Sequence, residues 1–304
     1  MLLCLLTACS SEPGAIKGVA AISTVIPSPI LTTTLPPPRY GVQIRPNIAY
    51  GPLPEEVLDL CLPVGASGPR PGVILIHGGG WTNLDKSELA QQCNLLAAQG
   101  FVAATVNYRL APAHIWPAQL VDVQLAVRFL RANASAYGLD PRRLCSWGSS
   151  SGSHLAVFLG VLATIHAGDE ARIDANQSVS VSCVIDEFGP VDLETYQQTP
   201  DQRNLLLLLF GNVTLQQNPA LYHEASPYFD VSPESAPTLI VQGTEDTVVP
   251  PTQSEALEQA LQQAEVPVQY ISYPGEHSFG GLSGVQIEQI EAEEVSFLIG
   301  YERP

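Results

Sequence analysis

Short apolar runs separated by stretches of helical spacing constrain the fold of this chain more than any other feature. Residues 72–76 and 101–107 are nearly continuous apolar runs bounded by turn residues, as in strands buried on both faces of a sheet. Further strands are predicted at 144–147, 179–188, 237–242 and 268–273, and helices at 87–99, 121–137, 152–162, 252–264 and 285–299. Gly100 and Gly138 stop the first two helices. Regular alternation of this kind predicts an α/β fold, a mostly parallel sheet with helices on both faces. With 45% hydrophobic and 14% charged residues, the chain has ample material for its core.

Charge excludes one class of partner. Thirteen basic residues against 30 acidic ones give a net charge of −17, and the only lysines are Lys17 and Lys86, so the basic footprint that nucleic acid requires is missing. The imbalance is concentrated: residues 224–304 carry 14 acidic side chains and a single basic one, Arg303. No apolar run reaches the roughly 18 residues of a membrane-spanning helix.

The first residues read as an export signal, residues 1–9, whose end, Leu6-Thr7-Ala8-Cys9, resembles the lipobox of bacterial lipoproteins. That resemblance implies lipidation at Cys9 and an exported protein that meets the membrane only through its lipid anchor. Residues 10–39, rich in Pro, Ser and Thr, read as a tether, leaving residues 40–304 as one domain. Its cysteines, Cys61, Cys93, Cys145 and Cys183, are widely spaced without a CxxC pair, which argues against zinc. Cys145 and Cys183 fall in strands that could be neighbours, which would permit a bridge in an exported protein, but the reading adopted is buried free thiols.

Two glycine-rich turns carry the chemistry. Gly148-Ser-Ser150-Ser-Gly152 fits G-x-S-x-G between a strand and an apolar helix, so Ser150 sits where a tight turn lifts a hydroxyl clear of the sheet. The helix start at Ser151 adds a partial positive charge beside it. His77-Gly78-Gly79-Gly80-Trp81 follows the 72–76 strand directly, and its glycines can turn backbone N–H groups toward a bound oxygen. No Gly-Lys-Ser/Thr follows, so a phosphate loop is disfavoured.

Together with Asn107-Tyr-Arg-Leu-Ala-Pro112, Gly189-Pro-Val-Asp192 and Gly243-Thr-Glu-Asp246-Thr-Val-Val-Pro250, these motifs resemble those of the α/β-hydrolase carboxylesterases. The nearest branches are the hormone-sensitive-lipase-like and the feruloyl or acetyl-xylan esterase-like ones. The resemblance implies the α/β-hydrolase fold and a Ser150–Asp246–His277 triad. It also implies an oxyanion hole from the N–H groups of Gly79, Gly80 and Ser151, with His77 orienting the loop. One departure is Ser153, where the family usually has a second glycine.

Asp246 and His277 each follow a core strand, which places both at the C-terminal edge of the sheet, where ligands bind in open α/β folds. Asp186 and Glu187 are rival acids, while His114, His154, His166 and His223 read as packing or surface groups. No metal-ligand pattern occurs, and no cofactor is expected. Residues 193–228, with six apolar residues in a row at 205–210, are expected to form a lid-like insertion. The reading is an esterase acting on a small-molecule ester of a short acyl or aromatic acid, including esters on sugars. An amidase or arylformamidase-like hydrolase is the second reading, and an inactive binding module the third. Oligomeric state is not legible.

Overall fold

The computed structural model of the protein describes residues 33–161 and 173–301. Eight strands form one sheet: β1 (Gly41–Ala49), β2 (Val57–Val64), β3 (Arg70–Ile76), β4 (Val102–Val106), β5 (Leu139–Ser149), β6 (Val184–Glu187), β7 (Thr238–Gly243) and β8 (Val268–Tyr273). Their order across the sheet is β1-β2-β4-β3-β5-β6-β7-β8. All pairs from β4 to β8 are parallel, and β1 and β2 join antiparallel at one edge. The helices are α1 (Ala90–Gln99), α2 (Ala118–Ala132), α3 (Ala134–Tyr137), α4 (Ser151–Gly160), α5 (Pro200–Leu209), α6 (Pro219–Glu224), α7 (Pro251–Gln263) and α8 (Gly284–Gly300).

Alternate side chains of the central strands point to opposite faces, and each face has its own core. Val73 and Leu75 of β3 join Ala103, Trp147, Ile185, Leu239 and Val241 under α1 and α8. Ile74 and Ile76 join Ala104, Val106, Val184 and Ile240 under α2, α4 and α7. Burial on both sides is why these strands read as unbroken apolar runs. Helix α4 is buried along its whole length.

Beyond shifted element ends, such as β6 covering only Val184–Glu187 of the expected 179–188, the structure differs from the sequence-based expectations in four places. The β1–β2 hairpin was not anticipated, because β1 is an almost wholly exposed edge strand interrupted by an irregularity between Arg45 and Ile48. The helix expected over 121–137 breaks at Asn133, whose backbone and side-chain amides both bond the Phe129 carbonyl. The expected tether is shorter at its C-terminal end: Gln99 donates to the carbonyls of Pro36 and Pro37, the Arg39 and Tyr40 amides bond Ala98, and Leu35 packs on the α1–α8 core. Residues 1–32, with Cys9, and His166 lie outside the described residues.

The fourth difference is chemical. Cys145 and Cys183 are bridged, as are Cys61 and Cys93, so none of the four is a free thiol. Cys145 and Cys183 precede Ser146 and Val184, which are paired in the β5–β6 register, and their Cα atoms are 4.7 Å apart. Cys61 of β2 points into the face that α1 covers, where it meets Cys93 at a Cα separation of 5.8 Å. Predicted neighbouring strands left room for the Cys145–Cys183 bridge, though free thiols were expected, and nothing pointed to Cys61–Cys93; the strand register and the docking of α1 create both.

Candidate active site

The turn between β5 and α4 puts Ser150 in a left-handed conformation, φ +54° and ψ −120°, which L-residues adopt only when their surroundings enforce it. The flanking glycines make the turn possible. A Cβ at Gly148 would stand 2.3 Å from the Gly152 carbonyl oxygen, and one at Gly152 would stand 2.1 Å from that of Ile76. The Ser150 amide donates to the Glu187 carbonyl at 2.9 Å, and the amides of Ser153 and His154 return to the Ser150 carbonyl. The hydroxyl is therefore held at the C-terminal edge of the sheet, at the start of a buried helix.

His277 and Asp246 reach it from loops after β8 and β7. His277 Nε2 lies 3.0 Å from Ser150 Oγ, and Nδ1 lies 2.6 Å from Asp246 Oδ2. The other carboxylate oxygen of Asp246 accepts the amides of Val248 and Val249 at 2.8 and 2.9 Å. These charge-assisted bonds fix the carboxylate orientation. Buried Gln242 donates toward Asp246 Oδ2 at 3.3 Å and accepts the Ser254 hydroxyl, tying the acid loop to α7. The imidazole packs edge-on against Phe188, with ring centroids 4.8 Å apart, and Phe279 packs edge-on against Phe188. Phe188, Ser278 and Phe279 all have positive φ, so left-handed backbone clusters around the histidine as it does at Ser150.

The third component follows β3. Gly79 and Gly80 have φ of +98° and +60°. A Cβ on Gly79 would stand 2.2 Å from the Asn83 carbonyl oxygen, and the next turn closes with Thr82 and Asn83 amides on the Gly79 carbonyl. Gly78 lies against the elbow itself, its Cβ position 3.0 Å from the Ser149 carbonyl oxygen. His77 Nδ1–H donates to the Gly78 carbonyl at 2.8 Å, and burial pushes its pKa down to about 4, so the ring is neutral. Its face stacks on Tyr108, whose hydroxyl donates to the carbonyls of His77 and Gly78. With those carbonyls engaged, the loop's conformation is fixed.

The rival acids lie elsewhere. Asp186 is wholly buried, accepts the Ser153 hydroxyl and the Gly189 amide, and is pushed up to about 6 by burial. Burial pushes Glu187 up to about 7, and it faces Glu294 of α8. His154 donates to the Ala225 carbonyl among Trp81, Trp116 and Phe158, and burial pushes it down to about 4. His223 pairs with Glu194 at the surface, and His114 sits in the loop before α2. Among the described residues, no group of three His, Cys, Asp or Glu side chains is placed to hold a metal ion. Phe188, Phe279 and Gln242 were not singled out by the sequence, and only their positions beside the motifs could have flagged them; Tyr108 lies inside the 107–112 motif but was given no role.

An eight-stranded, mostly parallel sheet with a serine on a strained strand-to-helix turn and a histidine and an acid after the last two strands defines an α/β-hydrolase. Residues 58–261 match the BD-FAE family, and the chain belongs to that family. It is 30% identical over 273 residues to esterase LipQ of Mycobacterium tuberculosis, covering 86% of this chain and 63% of LipQ. It is 29% identical over 252 residues to esterase LipC of the same organism, covering 80% of this chain and 61% of LipC. The chain thus spans less than two thirds of the length of either relative. A solved structure described as a truncated form of carbohydrate esterase from gut microbiota superposes with a TM-score of 0.74 at 27% identity, covering 88% of this chain and 99% of that one.

Proposed function

We propose that the protein is a serine hydrolase of carboxylic esters. The observation that carries this reading is the continuous link from Ser150 Oγ through His277 (3.0 Å) to Asp246 (2.6 Å). His277 takes the serine proton as Oγ attacks the ester carbonyl, and Asp246 holds the imidazole in the required tautomer and steadies its charged form. Backbone N–H groups of Gly79, Gly80 and Ser151 receive the oxyanion, and no other hydrogen bond engages them among the described residues. His277 then protonates the leaving alcohol, and water, deprotonated by the same ring, releases the acyl group from Ser150.

Esters of short acyl or aromatic acids, including those on sugars, are the proposed substrates; the likeness to a carbohydrate esterase supports this class. The test is Ser150→Ala against p-nitrophenyl acetate. The expected result is a loss of about 10³-fold or more in kcat, whereas retained activity would overturn the triad. Matched ester and anilide substrates separate esterase from amidase, with the ester expected to turn over faster.

We also propose export and lipidation at Cys9. Two disulfides in the body support an oxidising compartment. Radiolabelled fatty acid should be incorporated into the wild-type protein and absent from Cys9→Ser; equal labelling would sink the anchor.

A further inference from the structure

Helix α5 is anchored at both ends beside the site, and one of its side chains touches the oxyanion loop. Helix α5 starts in a capping box between Thr199 and Gln202. Gln202 is buried, and its side-chain amide donates to the Val248 carbonyl at 2.9 Å, in the loop whose amides hold Asp246. The other end of the helix is held by the Trp116 amide, which bonds the Leu209 carbonyl at 2.9 Å, and Leu206 and Leu209 are fully buried. Between these anchors Leu205, half-buried, places its Cδ2 only 2.9 Å from where a Cβ on Gly80 would stand.

Strand order decides which part of an ester meets Leu205. Ser150 follows β5; the oxyanion loop follows β3 on one side of it, and His277 and Asp246 follow β8 and β7 on the other. His277 must hand its proton to the leaving oxygen, so the alcohol lies on the β7–β8 side. With the carbonyl oxygen at the Gly79 and Gly80 amides and the alcohol toward His277, the acyl chain leaves away from His277 and beside the oxyanion loop, where Leu205 stands against Gly80 and Leu84 against Gly79. Leu84, Ile115 and Leu208, exposed apolar side chains on α5 and the loops it contacts, make those surroundings hydrophobic.

We propose that Leu205 sets the length of the acyl chain, admitting short aliphatic acyls such as acetyl or propionyl and excluding long-chain ones. This rests on the esterase reading above and narrows its substrate class. The experiment is a p-nitrophenyl ester series from acetate to octanoate for wild type, Leu205→Ala and Leu205→Phe, with fluorophosphonate labelling of each. Wild-type kcat/KM should fall with chain length. Leu205→Ala should raise the hexanoate-to-acetate ratio by about tenfold or more, and Leu205→Phe should lower the butyrate-to-acetate ratio. Three labelled, active proteins with superimposable chain-length profiles would overturn the role of Leu205 while leaving the triad intact. Absence of both hydrolysis and labelling in the wild type would instead bring down the esterase reading, and this proposal with it.

Discussion

The Ser153 hydroxyl donates a hydrogen bond to the wholly buried carboxyl of Asp186, which also accepts the Gly189 amide at 2.9 Å. Ser153 departs from the glycine that the motif resemblance implies at this position, and the pair gives the serine a physical role. A carboxyl buried at the end of β6 needs donors, and the first turn of α4 supplies one. The pair ties the helix behind Ser150 to the neighbouring strand and occupies Asp186 away from His277.

Asp186→Asn should therefore keep kcat within about fivefold of wild type, because the amide can still accept both bonds. Asp246→Asn should lower kcat by about 10⁴-fold by favouring the wrong imidazole tautomer. Steady-state kinetics on one ester checks both; equal losses would move the acid role to Asp186.

The two disulfides close loops of 32 and 38 residues, each bridge being buried. In the chain-entropy picture each contributes about 3–4 kcal/mol by restricting the unfolded chain. Replacing either pair by alanines should lower Tm by roughly 10 °C. Peptide mapping under non-reducing conditions should recover Cys61 with Cys93 and Cys145 with Cys183, and any other pairing would contradict the register described.

Glu187 and Glu294 give stability a pH dependence. Burial pushes Glu187 up to about 7, and burial followed by the charge of Glu187 pushes Glu294 well above its ordinary range. Both ionise near 4.5 in the unfolded chain, so above that pH the folded protein holds more protons and loses stability as pH rises. Asp186, pushed up to about 6, acts in the same sense. His77 and His154, kept neutral down to about 4, act oppositely up to their unfolded value of 6.5. Above 6.5 the glutamate pair is unopposed by these histidines, so Tm should fall between pH 6.5 and 8.5. Glu294→Gln should raise Tm at pH 8.5 by roughly 3–6 °C and flatten that fall; an unchanged slope in thermal melts would exclude the pair as its origin.

The acidic segment 224–304 contains Asp246, His277, α7 and α8, so the acid and base loops share a strongly negative neighbourhood. An ester bearing a carboxylate should show kcat/KM several-fold below that of a neutral isostere at low ionic strength, and the gap should narrow as salt is added. A gap independent of salt would mean that the field does not reach the site.

The motifs made the reacting groups legible in the sequence because each occupies a short continuous stretch whose backbone shape depends on local glycines: 148–152 around Ser150 and 77–81 around the oxyanion loop. The central strands were legible for a related reason, since burial on both faces leaves an unbroken apolar run. Edge strand β1 lacks that run, and it stayed invisible until its pairing with β2 was seen. Asp246 and His277 were located by family pattern and strand position, but their contact spans 31 residues of chain and rests on the β7–β8 register.

Local sequence determined the elbow, the glycine turns, the order of strands and helices, and the charge asymmetry, all properties that a segment carries by itself. Tertiary structure alone decided the two disulfides, the Ser153–Asp186 tie, the buried Glu187–Glu294 pair and the seat of Leu205 against Gly80. Each of these depends on two distant segments meeting at a particular register and distance. Side-chain chemistry names the possible partners, but only packing of the whole chain selects which of them touch.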